Sequence, residues 1–129
     1  MLEVKTHYSR EGSYLDNGRG RVALGSKEGA FYPYDLFLGS LSACFHATLM
    51  SIMQKRRLET PVVDIVVTGE KREEVPTTMQ WTKLAITAYD VPEEVKKAFE
   101  QSCDMAAKYC SIHHTIAQVS EMEHTIEYA

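Results

Sequence analysis

Between Pro33 and Arg57 the sequence carries one long stretch whose apolar residues fall on every side of a helix: Leu36, Phe37, Leu38, Leu41, Ala43, Phe45, Ala47, Leu49, Met50, Ile52 and Met53. Pro33 suits the first helical position, where its missing N–H costs nothing. Asp35 lies in the first turn, where negative charge favours the helix dipole, and Lys55-Arg56-Arg57 bring positive charge to the other end. A helix apolar nearly all round must be enclosed on most sides. A chain of 129 residues makes a single domain, residues 1–129, and so small a domain is poorly able to wrap such a helix alone. The pattern therefore predicts a second subunit against it. Gly39, Ser40, Ser42, His46, Thr48 and Ser51 interrupt the stretch, so it reads as a buried helix rather than a membrane span.

The flanking segments alternate instead. Residues 2–8 (LEVKTHY) read as a strand, Asp16-Asn17-Gly18 as a turn, and Arg21–Leu24 as a short strand, together an antiparallel meander of two or three strands. Residues 25–32 read as a loop. Val62–Thr68 and Met79–Tyr89 are β-branched or alternating runs, the second with Leu84, Ile86 and Ala88 on one parity. Asp90-Val91-Pro92-Glu93-Glu94 has the cap, proline and acidic first turn of a helix start. That helix is expected to run to about Tyr109, with Val95, Phe99, Cys103, Ala106 and Cys110 as its apolar stripe. Met122, His124, Ile126 and Tyr128 alternate with polar residues in a closing strand. The order is meander, long helix, two strands, helix, strand: an α+β class.

Formal charge is −4 and uneven, with 8 Lys/Arg against 6 Asp/Glu in residues 1–60 and 6 against 12 in the remainder. The balance argues against non-specific nucleic-acid binding, and an anion-attracting site should draw on the first half. Met1-Leu2-Glu3-Val4-Lys5 alternates apolar and charged residues without an apolar core, so no secretory signal is expected. Three cysteines, odd and sparse, point to free or reactive thiols in a reducing cytoplasm rather than a disulfide framework.

Those cysteines are the residues most able to do chemistry. Cys44 sits mid-helix in Gly39-Ser40-Leu41-Ser42-Ala43-Cys44-Phe45-His46, where a thiol is as often a small hydrophobe as a nucleophile. Cys110 falls where the second helix stops. If Ser111-Ile112-His113-His114 starts a new helical turn, free backbone N–H groups there favour thiolate. Cys103, about 10 Å earlier on the same helix face, reads as structural. Cys44, His46, Cys110, His113 and His114 are zinc ligands by type, but no metal-binding spacing occurs and no metal is expected. His124 reads as a half-buried partner of a Tyr or Glu. Gly18-Arg19-Gly20-Arg21 lacks the strand-to-helix context of a phosphate loop.

Pro33-Tyr34-Asp35-Leu36-Phe37-Leu38-Gly39-Ser40-Leu41-Ser42-Ala43-Cys44 resembles the first signature of the OsmC/Ohr family, the osmotically inducible and organic hydroperoxide resistance proteins. Tyr109-Cys110-Ser111-Ile112-His113-His114-Thr115-Ile116 resembles the second. The order of elements matches throughout the chain. The resemblance implies an intertwined homodimer with two long helices at its centre and a two-cysteine peroxidase site, Cys44 peroxidatic and Cys110 resolving. It further implies an arginine from the meander beside the thiolate and a carboxylate early in the helix to orient it. Arg10, in Ser9-Arg10-Glu11-Gly12, and Asp35 match best, and Arg19 or Arg21 could substitute for Arg10. Phe31, Phe37, Phe45 and Met50 are candidates for an apolar mouth. The implied partners are a hydroperoxide and an external dithiol reductant, with no resident cofactor, nucleic acid or membrane. Two departures, Tyr34 where the peroxidases have Glu and Ser111 where they commonly have Pro, bring the chain nearer the OsmC-like branch. Tyr34 also motivates an alternative, a non-catalytic protein binding a small ligand or partner on the same fold.

Overall fold

The computed structural model describes residues 1–129, with elements β1 (Lys5–Ser9), β2 (Gly12–Asp16), β3 (Arg21–Leu24), β4 (Ala30–Phe31), α1 (Pro33–Lys55), β5 (Val63–Lys71), β6 (Met79–Ala88), α2 (Glu93–Tyr109), α3 (Ser111–Ala117) and β7 (Glu121–Tyr128). The chain divides into two compact units, Met1–Gly39 and Ser40–Ala129.

In the first unit β1, β2 and β3 form the expected antiparallel meander, in register His7↔Tyr14 and Tyr14↔Ala23. The turn at Asp16-Asn17-Gly18 is held by its own side chains, since Asp16 accepts the Gly18 N–H at 2.7 Å and Asn17 accepts that of Gly20 at 2.8 Å. The segment read as a loop contains β4, which pairs parallel to β3 through Ala23↔Ala30 and Leu24↔Phe31. Two residues are too few for alternation to register, which is why the pattern hid it.

The second unit is a three-stranded sheet, β5-β6-β7, with β5 antiparallel and β7 parallel to β6. Register aligns Val63, Ile65 and Val67 with Ala88, Ile86 and Leu84, and these with Tyr128, Ile126 and His124. One face of the sheet is thereby apolar. It joins a single core with Leu41, Phe45, Leu49 and Met53 of α1 and Phe99, Cys103 and Ala106 of α2. The α1 residues recur every fourth position, so they form one stripe along the helix.

Only that stripe is fully buried. Ala43, Ala47 and Met50 fall on the opposite side and are exposed, as is Phe37. The helix is long and apolar enough to cross a membrane, yet its four buried side chains belong to the same core as the sheet. The all-round apolar pattern thus divides into a covered stripe and an uncovered one.

Two helix ends differ from the sequence reading. α1 stops at Lys55, not Arg57, because Arg57 turns left-handed at φ 58°. The Leu58 N–H then bonds the Met53 carbonyl at 2.8 Å and the Arg57 N–H the Gln54 carbonyl at 3.0 Å, a Schellman closure with arginine where glycine is usual. The second helix is not capped by Asp90. That residue is itself left-handed, φ 54°, and Pro92 precedes the first helical residue without a side-chain cap. Arg56 ties the two helices together, its guanidinium donating to the Ala98 carbonyl at 3.0 Å, Ser102 Oγ at 2.8 Å and Gln101 Oε1 at 3.1 Å.

Candidate functional site

The two thiols singled out in the sequence meet in the second unit. Cys44 lies on α1, and Cys110 is the single extended residue (φ −68°, ψ 119°) between α2 and α3. It closes α2 by donating its N–H to the Ala106 carbonyl at 2.8 Å, and its sulfur caps α3 by accepting the His113 N–H at 3.4 Å. The sulfurs of Cys44 and Cys110 are 2.9 Å apart, with the Cys110 S–H donating. Both cysteines are free thiols, and a disulfide bond of about 2.05 Å needs little further approach.

Their acid strengths are driven apart. Burial pushes the Cys44 thiol up, but hydrogen bonds from Cys110, the Ile112 N–H, Ser111 and Thr48 outweigh it and hold Cys44 below the ordinary thiol range. Cys110 moves the other way, raised by burial and by donating to Cys44. The sequence reading gave the thiolate-favouring amides to Cys110. The fold does give Cys110 those amides, the His113 N–H at 3.4 Å and the Ile112 N–H, but burial and its bond to Cys44 outweigh them, so that Cys44 is the more acidic partner and Cys110 the donor. Thr48 stands one helical turn after Cys44 and also donates to its carbonyl at 2.9 Å. The i, i+4 spacing from Cys44 was the signal for Thr48, and adjacency to Cys110 the signal for Ser111.

Cys103 is a different kind of thiol. It is fully buried, and burial, followed by the charges of Asp104 and Glu100, raises it to about 12. We expect iodoacetamide at pH 8 to label Cys44 rapidly and Cys103 only after denaturant is added, which peptide mass mapping reads directly. Since the folded value lies above the unfolded one of 9.0, the neutral buried thiol contributes stability that is complete below pH 9 and fades as pH climbs toward 12.

The candidate charged residues lie in the first unit. Asp35 accepts the Tyr32 N–H at 2.8 Å while its own N–H bonds the Tyr32 carbonyl at 3.0 Å, so this carboxylate closes the start of α1 as the second half of a capping box does. It forms no ion pair with Arg10, Arg19 or Arg21. Arg10 is exposed in the β1–β2 turn and unpaired. Arg21 is engaged, bonded to Asp16 at 3.0 Å and stacked 3.8 Å over the Tyr14 ring. Arg19 is exposed.

Among the apolar-mouth candidates, Phe31, Phe37 and Met50 are exposed, while Phe45 is fully buried in the core. His124 is bonded to Asp104 on α2 at 2.9 Å, not to a Tyr or Glu. Strand periodicity cannot reveal which helical acid lies above a strand. Cys44, His46, Cys110, His113 and His114 form no metal-ligand group.

A pair of thiols 2.9 Å apart, their acid strengths pushed in opposite directions and set in an α+β chain, defines the class. A family model described as OsmC-like protein matches residues 25–125, and the chain belongs to that family. Solved structures agree on the fold. A hypothetical protein from Aquifex aeolicus is 24% identical, with TM-score 0.79 over 100% of this chain and 98% of that one. An OsmC-like protein from Mycoplasma pneumoniae is 15% identical, with TM-score 0.82 over 100% and 97%. The organic hydroperoxide resistance protein OhrB of Bacillus subtilis is 17% identical, with TM-score 0.71 over 98% of each chain. Among curated proteins none matches.

Proposed function

We propose that this protein is a thiol peroxidase that reduces organic hydroperoxides by a two-cysteine mechanism. The observation that carries the reading is the 2.9 Å approach of Cys44 and Cys110 with their acid strengths pushed in opposite directions. Membership of a family whose structural neighbours include proteins named for organic hydroperoxide resistance supports it.

The Cys44 thiolate attacks the distal peroxide oxygen. The O–O bond breaks, Cys44 becomes a sulfenic acid, and the alkoxide takes a proton to leave as an alcohol. The Cys110 sulfur then attacks the sulfenic sulfur. The S–O bond breaks, and the hydroxyl leaves as water with the Cys110 proton. An external dithiol reduces the resulting disulfide by exchange. No step calls on a metal, a prosthetic group, nucleic acid or a membrane, and a cytoplasmic location fits the need for a dithiol. Arg10 is the guanidinium this reading assigns to the thiolate and the reacting peroxide, and Asp35 the carboxylate assigned to orient it.

The exposed stripe of α1 (Ala43, Ala47 and Met50) supports a homodimer in which a second α1 covers it. Native mass spectrometry reads both claims at once. The protein should fly as a dimer, and one equivalent of cumene hydroperoxide should remove two hydrogens per chain in a bond between Cys44 and Cys110. A chain unchanged by peroxide would instead favour the binding-protein reading that Tyr34 motivates.

A further inference from the structure

We propose that a cavity beyond the C-terminal end of α1 binds an α-amino acid with a large apolar side chain. Arg57 takes its carboxylate, Asp90 and Glu59 its ammonium, and the apolar wall its side chain.

Two connections build the cavity. One leaves α1 at Lys55 and runs through residues 57–62 into β5, and the other leaves β6 at Ala88 and runs through residues 89–92 into α2. The Tyr89 N–H bonds the Val62 carbonyl at 2.9 Å and the Asp90 N–H bonds the Ala129 carbonyl at 3.2 Å. The first of these bonds holds the two connections side by side. Between them lies a cavity of about 370 Å³, walled by Leu58, Pro61, Val91, Val95 and Phe99. Small-molecule sites begin at about 300 Å³ and have this make-up, an apolar wall with a few polar groups. Cys44 lies about 16 Å back along α1 from Lys55, so the cavity is separate from the sulfur pair.

The charges that line it are of both signs. Arg57, Glu59 and Asp90 are exposed at the lining, and none of them is in an ion pair. The Tyr89 hydroxyl is already engaged, bonded to Asp64 at 2.7 Å. One guanidinium and two carboxylates around an apolar wall complement a molecule that carries an anion, a cation and an apolar body together. A guanidinium grips a carboxylate through two parallel hydrogen bonds, and a carboxylate accepts from an ammonium. A fatty acid would set its own charge against Glu59 and Asp90, and an amine would face Arg57. The zwitterion opposes none of the three.

The backbone singles out two of the same residues. Arg57 (φ 58°) and Asp90 (φ 54°) are the chain's non-glycine residues of positive φ, and one stands in each connection that lines the cavity. Glycine is what the closure of α1 prefers at position 57, and arginine there bears a steric cost. Such costs persist where the surrounding structure enforces them, and they gather at ligand-binding sites. At Asp90 the cost is smaller, because aspartate tolerates this conformation.

An amide chemical-shift titration with L-phenylalanine gives both location and affinity. Shifts should concentrate in residues 57–62 and 89–99, with a Kd of about 0.1–1 mM, as suits so small a ligand. Hydrocinnamate, which lacks the ammonium, and phenethylamine, which lacks the carboxylate, should each bind about tenfold more weakly or worse. Arg57→Gly suits the left-handed position, so its Tm should equal or exceed that of wild type while phenylalanine affinity falls about tenfold. Asp90→Asn keeps a residue tolerant of its conformation and should lose a similar factor. Phenylalanine that moves no resonance at about ten times that Kd, or moves those around Cys44 instead, would overturn the assignment. So would either truncated probe binding as well as phenylalanine, or Arg57→Gly binding like wild type. Neither thiol enters, so a protein that reduces no hydroperoxide but passes this titration loses the peroxidase reading and keeps the cavity.

Discussion

In a dithiol-coupled assay with cumene hydroperoxide, Cys44→Ser is expected to lower turnover by roughly a thousandfold or more, because it removes the sulfur that accepts the oxygen. Serine cannot ionise near neutral pH, and surroundings that hold a thiol below its ordinary range do not make it do so. Cys110→Ser should behave differently. One equivalent of peroxide is consumed, the Cys44 sulfenic acid persists, and further peroxide drives it to sulfinic acid, a gain of two oxygens by intact mass. Arg10→Ala should be milder, about tenfold in kcat/KM, since this reading places the guanidinium beside the thiolate and the peroxide. Because Cys44 is held below the ordinary thiol range, kcat/KM should rise with pH and level off at a lower pH than an unperturbed thiol would set. A Cys44→Ser protein with wild-type turnover would end the peroxidase reading.

The largest expected loss of stability lies away from the thiols. Phe99 on α2 is fully buried and meets the Tyr128 ring edge-on at 6.3 Å, while the Tyr128 hydroxyl bonds Glu100 at 2.7 Å. Truncation to alanine removes the aromatic contact and leaves a cavity between α2 and β7, a class of change that costs about 3–5 kcal/mol. For a chain of this size that is a fall of about 10–20 °C in Tm by scanning calorimetry. Phe99→Leu, which keeps most of the volume, should recover more than half of it. A Phe99→Ala midpoint within a few degrees of wild type would mean that α2 is held to the sheet chiefly by its polar ties.

Much of this architecture was readable from residue order. The long apolar stretch marked α1, parity at Leu84, Ile86 and Ala88 marked the core face of β6, and the stripe Val95, Phe99, Cys103, Ala106 marked α2, because helix and strand periods are local properties of a chain. The elements that escaped are those whose cause is not local. β4 is two residues long and exists because β3 offers it a partner. Arg57 adopts a left-handed conformation that its residue type does not announce.

The site divides along the same line. Residue types and their order pointed to Cys44 and Cys110 and set Cys103 aside, since few groups in the chain can form a reactive thiolate. Which sulfur ionises was decided only in three dimensions. The break between α2 and α3 brings the Cys110 thiol to 2.9 Å from a sulfur 66 residues away in sequence, while burial and its own donated hydrogen bond push the Cys110 thiol up. A pKa is set by the groups that surround an atom in space, and the chain's linear order does not list them.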